Sequence, residues 1–383
     1  MKQALAATRA MPEALSMKHA LAQAELALDS TKPNPRVGCV LLSDAGLVLG
    51  QGYTQIAGGP HAEIMALRDA ASLGNSVVGC TAYVTLEPCC HHGRTGPCCD
   101  ALIAAGIKKV VASIADPNPL VSGQGFARLR AAGIEVVVGV GAAESRELNI
   151  GFFSRMIRKK PWVRMKVAAS LDGQTALLNG QSQWITGEAA RADGHAWRAR
   201  SCAVLTGIGT VLADNPRLNV RNVETLRQPH IVVVDSRLET PVNAHIFIAG
   251  RACFIYAAVP NDTKKAALEA NKATVIYMPA RSADGQATGK VDLAAMLHDL
   301  AQREVNDLHV EAGYKLNGSL ISAGLIDEFL VYLAPKFLGG GQGMANFGPL
   351  QSLSDAAQLK FMAADMLGDD LRVRARIKGR DQF

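Results

Sequence analysis

Thr85–Ala101 reads TLEPCCHHGRTGPCCDA, placing four cysteines and two histidines directly after the apolar run Thr81–Leu86. A short way upstream, Gly58-Gly-Pro60 ends one segment and His61-Ala-Glu63 opens the next, adding an imidazole and, two residues on, a carboxylate. Thiolates and imidazoles are zinc ligands. Cys89 follows Pro88 at the predicted end of a strand. Cys98 follows Pro97 at the predicted start of a helix, where the macrodipole favours a thiolate. Ligands at helix starts and a strand end imply an α/β unit with its site where such sheets carry theirs.

A catalytic zinc keeps three protein ligands and leaves a fourth position for water, whose pKa it lowers to about 7. His61, Cys89 and Cys98 supply three, and the set resembles that of the zinc deaminases, in which a glutamate beside the metal, here Glu63, moves protons without binding it. Eight residues separate Cys89 from Cys98, where the short deaminase signature has Cys-x-x-Cys, so the loop is an insertion and Cys90 and Cys99 read as bystanders. A closed structural zinc site would leave Glu63 without a purpose.

At 383 residues the chain is long enough for two domains with separate cores. A net charge of +6 without any run of five like charges fits anionic metabolites as well as nucleic acid, and 5% aromatic residues is few for a surface that stacks bases. The remaining cysteines, Cys39, Cys80, Cys202 and Cys253, are scattered through strand-like segments, which is no disulfide framework. No eighteen consecutive residues are apolar, and the first sixteen lack a signal-peptide core, so the reading is a cytoplasmic protein with reduced thiols and no membrane partner.

Along the chain, residues 1–14 read as a loose extension and Met17–Leu28 as a helix stopped by Lys32-Pro-Asn-Pro35. Strands Val37–Leu42 and Leu47–Tyr53, helix His61–Ala71 and strand Thr81–Leu86 precede the cysteine cluster. Helix Cys99–Ala105, strand Lys109–Ile114, helix Gly125–Ala132 and strand Ile134–Val140 complete a five-stranded sheet with helices on both faces. A helical stretch, Ala142–Met156, and the basic Arg158-Lys-Lys-Pro161 lead into a second unit, so the domains are placed at 1–157 and 158–383. That unit alternates strands (Trp162–Ala168, Ala203–Leu205, His230–Val234, Ala252–Tyr256, Thr274–Tyr277, Asp307–Val310, Glu328–Ala334) with helices (Glu188–Arg200, Lys264–Ala270, Leu293–Val305, Asn317–Ala323) and ends in a hairpin, Gln358–Ile377.

Eight stretches, in order over nearly the whole chain, resemble the bifunctional deaminase-reductases of riboflavin biosynthesis. They are Asn34-Pro-Arg-Val-Gly38, Gly59-Pro-His-Ala-Glu63, Leu86-Glu-Pro-Cys-Cys-His-His-Gly-Arg-Thr95, Ala115-Asp-Pro-Asn-Pro119, Lys166 through Ser170-Leu-Asp-Gly173, Gln183-Trp-Ile-Thr186, Asp214-Asn-Pro-Arg-Leu218 with Arg221, and Val310-Glu-Ala-Gly313. The resemblance implies a cytidine-deaminase-like α/β/α domain followed by a dihydrofolate-reductase-like α/β domain. It implies zinc-dependent deamination of 2,5-diamino-6-(5-phosphoribosylamino)pyrimidin-4-one, then NADPH-dependent reduction of its ribosyl group to ribityl, by an assembly of two or four copies. Carried over residue by residue, it gives His61, Cys89 and Cys98 to zinc, Glu63 to proton transfer, and Asn34, His91 and Arg94 to the pyrimidine or its phosphoribosyl arm.

In the second domain the sequence has no Gly-x-Gly-x-x-Gly after its first strand, so the standard dinucleotide fingerprint is missing. The resemblance instead gives Ala168, Trp184, Thr210, Asp214, Ser236 and the segment Gly313, Tyr314, Lys315, Leu316, Asn317, Gly318, Ser319 to NADPH. To the substrate it gives Ser182, Arg198, Leu218, Arg221 and Glu311. Asp214 is the first candidate for proton donor, and Lys166 the second ionisable group near the chemistry. Two other classes compete: a nucleic-acid base deaminase with an RNA- or DNA-binding second domain, against which the few aromatics and the absent basic stripe count, and an inactive zinc scaffold.

Overall fold

The computed structural model describes residues 12–91, 96–119 and 121–383; Arg94 and most of the expected N-terminal extension lie outside them. The chain divides into two compact units, Met1–Ile157 and Arg158–Phe383.

In the first unit the elements run α1 (Glu13–Glu25), β1 (Gly38–Leu42), β2 (Val48–Tyr53), α2 (Ala62–Ser72), β3 (Thr81–Val84), α3 (Cys98–Ala104), β4 (Lys109–Ala112), α4 (Gln124–Ala131), β5 (Glu135–Val138), α5 (Ala142–Leu148) and α6 (Ile150–Arg158). One sheet, ordered β2-β1-β3-β4-β5, pairs β1 antiparallel with β2 and β3 and continues parallel through β4 and β5. Successive side chains of a strand point to opposite faces. Gly38 of β1 meets α1, whereas Gly50 and Gly52 of β2 lie under α2, each with helix backbone less than 3 Å from where a Cβ would stand. Those glycines let α2 sit hard against the sheet, and α2 carries His61 as its N-cap and Glu63 in its first turn. The helical stretch Ala142–Met156 is two helices: the Asn149 side chain accepts from the Arg36 backbone N–H and donates to its carbonyl, both at 2.8 Å, which breaks the run.

The second unit runs β6 (Trp162–Ser170), β7 (Gln174–Leu177), α7 (Glu188–Ala199), β8 (Ala203–Gly207), α8 (Ile208–Asp214), β9 (His230–Val234), β10 (Cys253–Ala257), α9 (Asp262–Ala270), β11 (Ala273–Tyr277), β12 (Pro279–Arg281), β13 (Ala287–Val291), α10 (Leu293–Gln302), β14 (Asp307–Val310), α11 (Tyr314–Ser322), β15 (Glu328–Ala334), β16 (Gly341–Gly343), β17 (Leu359–Leu367) and β18 (Asp370–Ile377). Its nine-stranded sheet is ordered β11-β10-β9-β8-β14-β6-β15-β18-β17, parallel from β11 to β15 and antiparallel at the β18–β17 edge. Parallel strands are buried on both faces, and β8, β10 and β14 are accordingly buried throughout. Short elements escape the sequence pattern: α8 has seven residues, and the β7–β16 and β12–β13 ribbons are too short or too polar to show a period.

Strand β14 returns from the far edge to insert between β8 and β6, so the strand order reverses there. Open α/β sheets carry ligands beyond the carboxyl ends of the strands at such a reversal. Both β8 and β14 end at this edge by opening a helix, α8 and α11.

Candidate functional sites

In the first unit, β3 runs out through Glu87-Pro88 to Cys89 while α2 and α3 begin at His61 and Cys98. The structure brings these three side chains together: His61 Nδ1, Cys89 Sγ and Cys98 Sγ all lie within 4.8 Å of one another. The Cys98 backbone N–H also donates to Cys89 Sγ at 3.3 Å, the contact expected of a thiolate at a helix N-terminus. A hydrogen bond from the Cys98 thiol lowers the Cys89 thiol to about 4, helped by His61, while the same bond and burial raise Cys98. Two sulfurs and an imidazole nitrogen gathered this closely are the donor set of a zinc site, so the residues fit zinc.

Glu63 is 3% exposed and is not one of the three donors. Burial pushes its carboxyl up to about 7, with the Cys89 charge adding to the effect. Cys99 donates its thiol hydrogen to the Pro88 carbonyl at 3.2 Å, and Cys90 Sγ lies 3.8 Å from the Gln124 amide oxygen, so both sulfurs are engaged away from the ligand triangle. Asn34 is half-buried in the loop before β1, and His91 is exposed at the mouth of the cysteine loop.

Two residues here were not singled out from sequence. The Glu87 carboxylate accepts the backbone N–H groups of Asp116, Gly123, Gly125 and Phe126 at 2.9–3.4 Å, fastening the strand end that carries Cys89 to the 116–126 segment. Burial drives Asp116 up to about 6, against the hydrogen bond from the Asn118 backbone, and its own backbone N–H is one of those held by Glu87. The Ala115-Asp-Pro-Asn-Pro119 stretch was the signal available for it.

In the second unit, Lys166 of β6 lies next to Glu311, which continues β14 and donates its N–H to the Leu205 carbonyl of β8 at 2.8 Å. Lys166 Nζ is 3.9 Å from Glu311 Oε2. From α7, Arg198 grips the same carboxylate through Nε and Nη2, the latter at 2.8 Å, and His309 Nε2 lies 3.4 Å from its other oxygen. Burial alone would raise the Glu311 carboxyl; the Arg198 guanidinium overrides it and holds the group well below the usual range. Burial lowers the Lys166 ammonium, opposed by Glu311. Lys166, Arg198 and Glu311 thus form one charged group at the reversal in strand order. Asp214 takes no part in it: it is the exposed last residue of α8.

The first turns of α8 and α11 lie side by side, since a Cβ on Gly313 would stand 3.7 Å from Thr210 Oγ1 and one on Gly207 3.1 Å from the Leu316 side chain. First-turn N–H groups, which have no acceptor within their own helix, form with the exposed Lys315 ammonium a donor set that suits phosphate, so these residues fit a dinucleotide cofactor. Gly318 is different: a Cβ there would meet the Asn346 backbone at 1.8 Å, which makes it a packing glycine. Trp184 is 66% exposed with the Arg191 guanidinium 4.7 Å over its ring; Ala168, Ser182 and Ser236 are half-buried, Ser319 is exposed and Asn317 is buried.

Both units match known families. The model of the RibD C-terminal domain matches residues 161–373, and that of the cytidine and deoxycytidylate deaminase zinc-binding region matches residues 12–114. The riboflavin biosynthesis protein RibD of Escherichia coli K12 is 44% identical over 375 residues, covering 94% of this chain and 98% of its own. The Acinetobacter baumannii RibD structure superposes with a TM-score of 0.85 at 39% identity, covering 95% and 98% of the two chains. A Thermotoga maritima diaminohydroxyphosphoribosylaminopyrimidine deaminase/5-amino-6-(5-phosphoribosylamino)uracil reductase gives 0.80 at 31% identity and the same coverage.

Proposed function

Since the chain belongs to the RibD family of riboflavin biosynthesis proteins and carries its zinc-binding deaminase and NADPH-using reductase domains, we propose a division of labour between its two units. Residues 1–157 deaminate diaminohydroxyphosphoribosylaminopyrimidine, and residues 158–383 reduce the product, 5-amino-6-(5-phosphoribosylamino)uracil, from ribosyl to ribityl. The observation that carries the reading is the triangle of His61, Cys89 and Cys98 with a separate buried carboxyl, Glu63, beside it.

In the deaminase, His61, Cys89 and Cys98 hold zinc, which when bound acidifies a water at its open position. A Glu63 oxygen takes the proton from the attacking water and returns protons to the ring nitrogen and the leaving amino group. The water's oxygen replaces the amino nitrogen and ammonia departs. Burial raises the Glu63 carboxyl, the direction that suits a group which must both take a proton and give it back. Asn34, His91 and Arg94 bind the pyrimidine or its phosphoribosyl arm in this reading, and Glu87 keeps Cys89 in register.

In the reductase, the first turns of α8 and α11, with Thr210, Ser236, Trp184 and Ala168, hold NADPH, which when bound supplies the hydride that turns the imine C1 of the ring-opened sugar into an amine. Lys166 delivers the proton to the nitrogen as that bond forms, its ammonium made more acidic by burial and held in place by Glu311. Arg198 fixes Glu311, which together with Ser182, Leu218 and Arg221 orients the sugar and its substituents. Asp214, at the exposed end of α8 and outside this charged group, is the alternative proton donor.

The test is incubation of the zinc-loaded protein with the diaminopyrimidine substrate, with and without NADPH. Ammonia appears in both cases, and nicotinamide absorbance falls only as deaminated product accumulates; no ammonia would sink the reading. We further read the protein as a cytoplasmic homo-oligomer of two or four copies. All eight cysteines are free, no described helix is long and apolar enough to cross a membrane, and edge strand β17 exposes Leu359, Phe361 and Met366.

A further inference from the structure

The segment from Asn215 to Asn222 joins α8 to the rest of the second unit and contains Leu218 and Arg221. Three of its residues that are not glycine, Asn215, Leu218 and Asn222, have φ values of 40°, 47° and 61°. Side chains disfavour that region, so such a segment persists only where its surroundings over-determine it. Several contacts do so, four of which bear on this stretch most closely. The Gln228 amide oxygen accepts from the Val220 N–H at 2.7 Å, Arg251 donates to the Leu218 carbonyl at 3.0 Å, Arg198 Nη1 donates to the Asn219 carbonyl at 3.0 Å, and the Arg221 N–H donates to His195 Nδ1 at 3.2 Å.

Of these four, Arg198 belongs to the charged group itself, and the second contact from α7 is made by His195. It lies one helical turn from Arg198 on α7, and Arg198 Nη1 stands 3.4 Å from the same Nδ1. Both neighbours of Nδ1 are donors without lone pairs, so Nδ1 is the acceptor and the ring carries its proton on Nε2. The ring is 7% exposed, and burial together with the Arg198 and Arg221 charges lowers it to about 4. A protonated ring would set N–H against N–H there.

We propose that His195 is a positioning residue of the reductase site: its Nδ1 lone pair holds the Arg221 backbone and thereby fixes the Leu218–Arg221 segment against α7 for the phosphoribosyl substrate. The inference rests on the reading that Leu218 and Arg221 face that substrate. A histidine serving only to fill space would make the same buried contacts without depending on where its acceptor atom lies, and that difference is measurable.

The side chain of Asn places its amide oxygen where Nδ1 stands, whereas Gln places its own near Nε2. In the full chain with zinc bound, His195→Ala and His195→Gln raise the KM for the deaminated pyrimidine by ~10-fold, the scale of leaving one buried N–H without a partner. Their kcat and NADPH affinity change little, and ammonia release is unaffected. His195→Asn stays within about 3-fold of the parent KM, on the same reasoning that the N–H keeps its acceptor. Long-range proton–nitrogen NMR of the parent shows Nδ1 as the unprotonated ring nitrogen at neutral pH. Equal KM values for the Asn and Gln variants, an unchanged KM in His195→Ala, or a proton on Nδ1 each overturn the inference. Arg221→Ala separates the two levels: if it raises KM while His195→Ala does not, only the positioning role fails, and if it leaves KM unchanged the substrate reading fails and takes this inference with it.

Discussion

A Cβ on Gly52 would stand 2.6 Å from the backbone nitrogen of Ala66, so this glycine sets how closely α2 lies on β2. Met65 Cβ would be nearer still at 2.5 Å and the Met65 carbonyl carbon lies at 2.8 Å, so two of the three atoms in its way are backbone, which cannot turn aside. The helix they belong to begins at the zinc-site histidine and carries Glu63 in its first turn.

Gly52→Ala is therefore expected to push α2 off the sheet. Overpacking of this kind costs about 1–3 kcal/mol, read as a lower urea midpoint. Because His61 moves with the helix, zinc is also lost to a competing chelator at lower concentration. Lower stability with unaltered zinc affinity would show that the ligand triangle does not depend on the seating of α2.

Glu63→Gln is expected to keep one zinc per chain and to lower ammonia release by roughly 10²-fold or more, the scale of losing a general acid-base group, while NADPH oxidation on deaminated substrate continues. Cys89→Ser and Cys98→Ser lower zinc content and stability together, since metal binding is coupled to folding. Cys90→Ser and Cys99→Ser do neither, because their sulfurs face Gln124 and Pro88. Metal analysis beside an ammonia assay checks all five, and zinc loss in Glu63→Gln would make Glu63 a ligand.

Lys166→Met keeps most of the side chain's length over the Tyr332 ring, 5.9 Å from the ammonium, and removes the proton. Hydride transfer in a single turnover is expected to slow by roughly 10²-fold, with the NADPH dissociation constant little changed. Asp214→Asn in the same measurement ranks the two candidates. A loss in Asp214→Asn alone would move the proton donor from the buried lysine to the exposed carboxylate.

The clustering of His61, Cys89 and Cys98 was legible because cysteine and histidine are uncommon and their spacing, bracketed by two prolines, says which helix starts and strand end they occupy. The parallel strands were legible as continuous apolar runs. What the pattern does not carry is the meeting of distant residues. Lys166, Arg198 and Glu311 come from β6, α7 and the end of β14, and no local period connects them; only matching motifs did. Glu87 looked like part of a Glu-Pro-Cys motif, and that its carboxylate gathers four backbone N–H groups from the 116–126 segment depends on a loop whose path the sequence does not fix. Asn149 sits inside an apolar helical pattern and breaks it through Arg36, 113 residues away. His195 has the same character, since its partner is the backbone of a segment on another element.

The second unit is anchored by a residue that precedes its first strand. Arg158 closes a two-pronged ion pair on Asp327, Nη1 to Oδ1 at 3.0 Å and Nη2 to Oδ2 at 3.1 Å, and the Asp327 side chain is fully buried, also accepting the Val163 N–H at 2.9 Å. Taking one partner from a buried pair leaves a charge without compensation and costs about 3–5 kcal/mol; here Arg380 Nε, 4.0 Å from Oδ1, offsets part of that. A fragment of residues 158–383 is therefore expected to fold, to oxidise NADPH with the deaminated substrate and to release no ammonia. The fragment 161–383 keeps every strand of the nine-stranded sheet yet lacks Arg158, and it unfolds at a clearly lower denaturant concentration. Arg158→Met within the longer fragment reproduces that drop, which assigns it to the ion pair and not to the three missing residues. Equal midpoints for the two fragments would mean that Arg380 alone neutralises Asp327 and that the unit begins at Pro161.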